Sequence, residues 1–434
     1  MLWVEIAVLL GCIVFAARLG GIGVGLAGGL GLAISIFGLG LKPGEIPIAI
    51  MLIIMAVILC LSVMQQAGGM AYMVRVAENL LRKNPKYINI LAPLTTFILT
   101  VLAGTGFVAM SVLNVIQQVA KENGVRPSQP LTSAVVASQI AITASPISGA
   151  TAAMYVVVEK MGVSFSSALM VILPAALFGS LVAAFIASKQ GIELKDDVIY
   201  QERLSKGLVS FIAKEQKTAE PTKEAKRSVL IFLSAVVFIV CMLLFKQTIG
   251  HKLSSQDIIL VTMLFASFVM TFACNVKLSE IKKASIFTDG AESLVVLLGI
   301  VWLSSTIIGT HVPEIKLAAG TILTQYPGLL AVVFFCTSAL LFSQGATSAL
   351  VVPIAASLGV DAGTILACFV AASALYITNI YPTTAFAIAI DDTGSYMSKK
   401  WNGSLIVNHP FFLPGLFAIV SAVPVGFMLA KVFV

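Results

Sequence analysis

Four short stretches of this chain set Gly or Pro beside hydroxyl and amide side chains within otherwise apolar sequence. They are Gly104-Thr105-Gly106, Ser145-Pro146-Ile147-Ser148, Ser343-Gln344-Gly345 and Thr378-Asn379-Ile380-Tyr381-Pro382-Thr383-Thr384. Gly and Pro interrupt a helix, and the helix start that follows carries about half a positive charge on its free N–H groups. None of the four stretches holds Lys, Arg, Asp or Glu. A cationic ligand or a proton relay at membrane depth would need an embedded carboxylate, and none stands there. Helix N-termini and hydroxyl donors suit a small anion instead. We therefore expect Thr105, Ser145, Ser148, Ser343, Gln344, Asn379, Thr383 and Thr384 to donate hydrogen bonds to such an anion. Gly104, Gly106, Gly345, Pro146 and Pro382 would shape the breaks. The plainer alternative is that single Pro and Gly residues kink packed helices while Ser and Thr bond the preceding turn.

The elements that must position these residues follow from composition. Of 434 residues, 59% are hydrophobic and 11% charged, and the mean hydropathy is +1.02. Soluble domains carry about 25% charged residues, so a water-soluble enzyme is excluded. Apolar runs fall near 2–17, 20–40, 46–66, 87–120, 131–158 and 166–188, then near 228–245, 257–275, 292–309, 327–358, 363–390 and 411–433. Runs of roughly twenty residues cross the hydrocarbon as helices, and they lack the alternation of a barrel strand. The fold class is an all-α polytopic membrane protein. The net charge of +7 sits mainly at run ends and in loops, where the positive-inside effect explains it, so no nucleic-acid partner is implied. Met1-Leu-Trp-Val-Glu5 has neither a basic region nor a small-residue cleavage site, which makes the first run a retained span.

One long hydrophilic interval, 189–227, holds nine Lys/Arg and seven Asp/Glu. We read it as a cytoplasmic charged linker, with Arg75, Arg82, Lys83 and Lys86 on the same side. It divides the chain into a first transmembrane repeat, 1–188, and a second, 228–434. The halves share an order of interruptions: Gly106 to Pro146 spans 40 positions, and Gly345 to Pro382 spans 37. Paired halves with matched interruptions mark a transporter built from internal repeats. An inverted relation needs an odd number of crossings per half.

Other patterns carry less. Gly23-Val-Gly25-Leu-Ala-Gly28 matches a dinucleotide fingerprint only by its letters, and Gly21, Gly25 and Gly29 read better as a helix-packing stripe. The histidines His251, His311 and His409 are too scattered for a metal site, so no metal or cofactor is expected. The six cysteines read as small buried hydrophobes. Arg75 and Glu78 read as an interfacial ion pair, Asp289 and Glu292 as solvated, and Asp391-Asp392 as a helix end at the aqueous edge.

Several longer motifs carry a resemblance. Ala16-Ala-Arg-Leu-Gly-Gly-Ile-Gly, Leu81-Arg-Lys-Asn-Pro-Lys-Tyr87, Ala103-Gly-Thr-Gly106, Ile142-Thr-Ala-Ser-Pro-Ile-Ser148, Tyr381-Pro-Thr383, Asp391-Asp-Thr-Gly394 and Asn408-His-Pro-Phe-Phe-Leu-Pro414 resemble the anaerobic four-carbon dicarboxylate transporters, the Dcu family. The similarity runs from the first span to the last. It implies an inner-membrane carrier of bacteria for fumarate, succinate, malate and aspartate, exchanging an incoming dicarboxylate for succinate. It also implies two inverted structural repeats with re-entrant hairpins and an elevator-like motion. Some members modulate a sensor kinase in the same membrane, and a homo-oligomer is expected. The resemblance carries over Thr105, Ser145, Pro146, Ser148, Ser343, Gln344, Tyr381, Pro382 and Thr383 as site residues. The chain departs from the family pattern at Phe107, Asn114 and Asn379-Ile380, within or beside that site, which bears on the preferred substrate.

The reading is thus a secondary dicarboxylate antiporter. The alternatives are a passive anion channel or a mainly regulatory membrane partner. A membrane-embedded enzyme is disfavoured because no nucleophile–base or metal constellation is visible.

Overall fold

The structure is a computed structural model describing residues 2–19, 22–46, 48–209, 220–245, 253–307, 309–311, 322, 325–379, 381–396, 399–400 and 409–434. Gly20, Gly21, His251, Ile380, Asn408 and linker residues 210–219 lie outside them, as do the side chains of Phe107 and Asp289.

The first half opens with α1 (Leu2–Leu19) and α2 (Ile22–Ala33), the latter running into a π turn at Ile34–Gly38. Next comes α3 (Ile48–Gln66). Gly68, at φ 84, then turns the chain into the amphipathic α4 (Gly69–Lys83). Helices α5 (Ile88–Ala103) and α6 (Phe107–Glu122) fold back on each other as a hairpin. A broken span follows, α7 (Ser128–Ala144) and α8 (Gly149–Lys160), and then α9 (Phe165–Ala187).

The second half likewise runs through three long helices to a hairpin, a broken span and a closing helix. After the short α10 (Val198–Ser205) come α11 (Lys223–Leu244), α12 (Ser255–Ala273) and α13 (Ser285–Val296), which also runs into a π turn, at Leu297–Val301. Helices α14 (Leu329–Leu341) and α15 (Gln344–Ser357) form a second hairpin. The second broken span is α16 (Ala362–Cys368), tightened to a 3₁₀ helix over Phe369–Ile377, then α17 (Pro382–Ile390), bent by 48° at the break. α18 (Phe412–Phe433) closes the described chain and packs along α9. Apart from a two-residue ladder pairing Ser395–Tyr396 with Lys399–Lys400, the described residues form no strands. Among the described residues, eight helices are long and apolar enough to cross a membrane, nine if the bent pair is one span.

Contacts between element ends define two faces. On the linker face, Arg82 bonds Glu122, Lys121 bonds Asp392 and Arg126 bonds Asp197. On the far face, Gly44 N donates to Thr306 Oγ1 at 3.0 Å, Ser255 donates to Glu159 at 2.8 Å, and Glu5 pairs with His311. Apolar side chains between the faces, among them Phe185, Phe265 and Phe272, are exposed as a lipid-facing surface requires.

Several local expectations change. The close-packing glycines of α2 are Gly25 and Gly28, not Gly25 and Gly29. A Cβ at Gly28 would stand 2.2 Å from the backbone of Gly299, whereas one at Gly29 would meet nothing within 4 Å. Helical geometry makes the reason plain: residues three apart share a face as well as residues four apart. Glu78 is bonded by Arg82, four residues on. The linker is partly folded, with Leu194, Tyr200 and Val209 in a small apolar cluster of their own. Cys241 and Cys336 are exposed, while Cys12, Cys60, Cys274 and Cys368 are buried. Asp391, expected at the aqueous edge, is only 4% exposed, because the turn after α17 is held against α6 and α10 through Asp392.

Candidate functional site

Helix α7 is the element on which the site is built. It is buried on every side, so its polar side chains need partners inside the protein. Three of its hydroxyls find them within the helix: Ser133, Ser138 and Thr143 each donate to the carbonyl three residues back, while the Thr132 hydroxyl has no partner among the described residues. Gln139 is too long for that bond and reaches outward. Its Nε2 donates to Thr383 Oγ1 at 3.3 Å, and its backbone carbonyl accepts from Gln344 Nε2 at 2.8 Å. Its Oε1 lies 3.3 Å from the same Gln344 nitrogen. A Cβ at Gly106 would stand 3.0 Å from Gln139 Nε2. One amide therefore joins three breaks: the first hairpin tip, the second hairpin tip and the start of α17.

The fourth break sits one layer behind. Ser145 Oγ donates to the carbonyl of Val101 on α5 at 2.7 Å, and Ile147 backs against Gly104. Gly104 ends α5 at φ 69, a left-handed conformation that suits glycine. Ser148 caps α8: its Oγ accepts from Thr151 N at 3.1 Å and donates to Ile142 O at 2.6 Å. Pro146, between them, is buried. The hydroxyls of Ser145 and Ser148 thus bond backbone in this state and face packed helices, not an open site.

The second hairpin tip differs in chemistry. Ser343 caps α15 by accepting from Ala346 N at 3.2 Å, and a Cβ at Gly345 would stand 3.8 Å from Ile54 of α3. Phe342 ends α14 at φ 49, a strained conformation for a bulky residue. Its ring lies parallel to that of Tyr381, with centroids 6.5 Å apart, so the tip touches the second broken span. Pro382 occupies the first position of α17, where its missing N–H costs nothing. Thr384 donates to Tyr381 O at 2.7 Å. Thr105 and Asn379 are half-buried at their breaks.

Two of the four helix starts, α8 and α15, are capped by serines; the other two, α6 and α17, have no side-chain cap. Those two therefore present N–H groups that a ligand can satisfy. Thr378 adds a buried hydroxyl with no partner among the described residues. Gln139 belongs to none of the four breaks, and Thr378 opens the fourth without being among the donors expected from the sequence. The signal for Gln139 is an amide in the middle of a long apolar run, where an unpaired polar group costs free energy; it lies seven residues from the nearest Pro, outside every break.

Broken spans crossing between two hairpins, with neutral donors meeting at the core, define a membrane transport protein rather than an enzyme. The chain belongs to the family described as anaerobic C4-dicarboxylate membrane transporters, which matches residues 1–434. It is 42% identical over 441 residues to the C4-dicarboxylate transporter DcuA of Wolinella succinogenes, covering 100% of both chains. It is 43% identical over 437 residues to DcuA of Escherichia coli K12, covering 99% of each. The anaerobic C4-dicarboxylate transporter DcuB of Escherichia coli O6:H1 is 32% identical over 443 residues, with 99% of this chain and 98% of the relative covered. The protein is a multi-pass protein of the bacterial inner membrane.

Proposed function

We propose that this carrier moves four-carbon dicarboxylates, with fumarate, succinate, malate and aspartate as its substrate class, by exchange through alternating access. The observation that carries the reading is the Gln139 junction, which brings two hairpin tips and the start of α17 to one buried point without a charged side chain in any break. Uncapped helix starts at α6 and α17, with the Thr378 hydroxyl, are donors matched to carboxylate oxygens. A site with no fixed cation holds a dianion weakly enough to release it.

Two features support inverted repeats. Each half has the order hairpin, broken span, closing span. Each broken span's second limb packs on the other half's hairpin: α8 on α15, and α17 on α6. The α5–α6 hairpin enters from the linker face, and the Asp361 end that follows the second hairpin lies beside Val434 on the far side. With α1 and α2 taken as crossings and α5 as one limb of a hairpin, α1, α2, α3, α7–α8 and α9 make five crossings in 1–188, and α11, α12, α13, α16–α17 and α18 make five in 228–434. An odd count turns the second half over, with 189–227 cytoplasmic between them. Ile54 of α3, wedged between Gly149 and Gly345, marks where a moving hairpin assembly would slide on a static helix. A homo-oligomer and a sensor kinase as membrane partner belong to the same reading.

The test is labelled succinate, fumarate or aspartate uptake into proteoliposomes preloaded with each in turn. Exchange requires uptake to rise with internal dicarboxylate. Flux indifferent to the internal pool would make the protein a channel, and no flux of any of the three would end the substrate assignment.

A further inference from the structure

The turn after α17 holds a carboxyl group that the transport site does not use. Asp391 follows the last residue of the span, and its side chain is 4% exposed. Its Oδ1 accepts from Thr393 N at 3.0 Å and from Thr393 Oγ1 at 2.6 Å. Its Oδ2 is buried and has no partner among the described residues. An ionised carboxylate with one bare oxygen in such a place loses its hydration without recompense, whereas the neutral acid does not.

The cations nearby are already engaged. On α6, Lys121 Nζ bonds both carboxylate oxygens of Asp392 at 2.6 and 2.7 Å, and Gln117 adds a bond at 3.0 Å. At the start of α7, Arg126 is held by Asp197 at 2.5 Å and by the carbonyl of Ile192 at 2.8 Å. From α10, Arg203 donates to the backbone carbonyl of Asp392 at 2.9 Å, with Tyr200 close by. Burial, with a smaller push from Asp392, raises the Asp391 carboxyl to about 6, against the pull of Thr393 and Arg126.

We propose that Asp391 is a proton-binding site of the carrier, whose occupancy sets how firmly α17 holds Thr383 against Gln139. The step is one proton gained from water on the linker face by Oδ2, with no other bond changed. The neutral acid tolerates the buried turn as described. The anion favours a turn opened to water, which loosens α17, and with it the helix start and the Thr383 hydroxyl at the site. This inference rests on the dicarboxylate reading above, so its experiment has two arms.

In the first arm, fumarate exchange is measured in proteoliposomes from pH 5 to 7.5, a range in which both fumarate carboxyls are ionised. The wild type should lose apparent affinity several-fold as pH rises through about 6. Asp391→Asn keeps the acceptor for Thr393 and should stay at the low-pH affinity throughout. An Asp391→Asn profile with the wild-type inflection overturns the proposal. In the second arm, melting of the detergent-solubilised protein is followed over the same range without substrate. Because the folded state holds a proton that the unfolded chain releases, wild-type melting temperature should fall as pH rises towards and through 6. In Asp391→Asn the fall should shrink, and an equal fall in both proteins overturns the site. This arm decides the matter even if no dicarboxylate is carried, and Asp391→Ser, which keeps a hydroxyl acceptor, serves if the asparagine variant does not fold.

Discussion

Gln344 on the second hairpin donates its side-chain amide to the backbone carbonyl of Gln139, 2.8 Å away and 205 positions earlier in the chain. The bond crosses from one half of the protein to the other at its most buried helix. It makes the α7 amide a sensor of both hairpins at once. Since the acceptor is backbone, replacing Gln139 leaves this tether intact and isolates what the side chain does.

Gln139→Leu should therefore fold and lose binding. Removing the amide takes one donor from Thr383 and from any bound carboxylate, a loss of about 1–3 kcal/mol for a hydrogen bond to a charged group. The measurement is the shift in melting temperature on adding fumarate, which should shrink or vanish in the variant. Gln139→Glu, nearly isosteric, adds a negative charge where a dianion must sit and should abolish the shift altogether.

The two glycines of the first tip should separate stability from affinity. Gly104→Ala forces a side chain into φ 69 and to 3.1 Å from Ile147, so it should cost roughly 1–2 kcal/mol of stability. Gly106→Ala has an ordinary φ, and its Cβ would meet Gln139 Nε2 at 3.0 Å and Ile142 Cδ1 at an ordinary 3.6 Å. It should change apparent affinity with little change in melting. Equal effects of the two on melting would mean that the tip is not built as described.

Ser148 and Thr383 should behave differently when each is replaced by Ala. Ser148 caps α8, and losing a cap costs about 0.5–2 kcal/mol of stability. Thr383 meets Gln139, so its loss should appear in substrate affinity. Thermal melting and exchange assays on the two variants distinguish these roles.

Gly299→Ala should be among the most damaging single changes in the scaffold. Its Cβ would lie 2.0 Å from the backbone oxygen of Gly25, so α2 and the π turn that follows α13 must separate, at a cost of at least about 1–3 kcal/mol. Gly29→Ala, with nothing within 4 Å, should melt as the wild type does. Expression level and melting in detergent read both.

The Arg126–Asp197 pair is almost fully buried, and each partner alone would be an uncompensated charge. Arg126→Met should cost about 3–5 kcal/mol, while Arg126→Met with Asp197→Leu should recover most of it. Failure of the double variant to recover would mean that the pair's further bonds to the linker backbone, such as Arg126 to Ile192 O, dominate.

Sequence alone determined the solvent, the helices and the places where they break. Hydropathy does this locally, because a run of twenty apolar residues has one stable conformation in lipid; Gly and Pro mark where it can break, although Pro93, Pro174, Pro353 and Pro424 stand inside continuous helices. Family membership was legible too, in motifs such as Ala103-Gly-Thr-Gly106 and Tyr381-Pro-Thr383. Which polar groups meet was decided only by the tertiary structure. Ser148 and Thr383 look alike as hydroxyls beside a proline, yet one closes a helix end and the other reaches the α7 amide. Gln139 sits in no break and Asp391 at a helix end, and their burial is created by segments more than a hundred residues away. Local chemistry fixes what a residue can donate; only long-range packing fixes what remains for it to donate to.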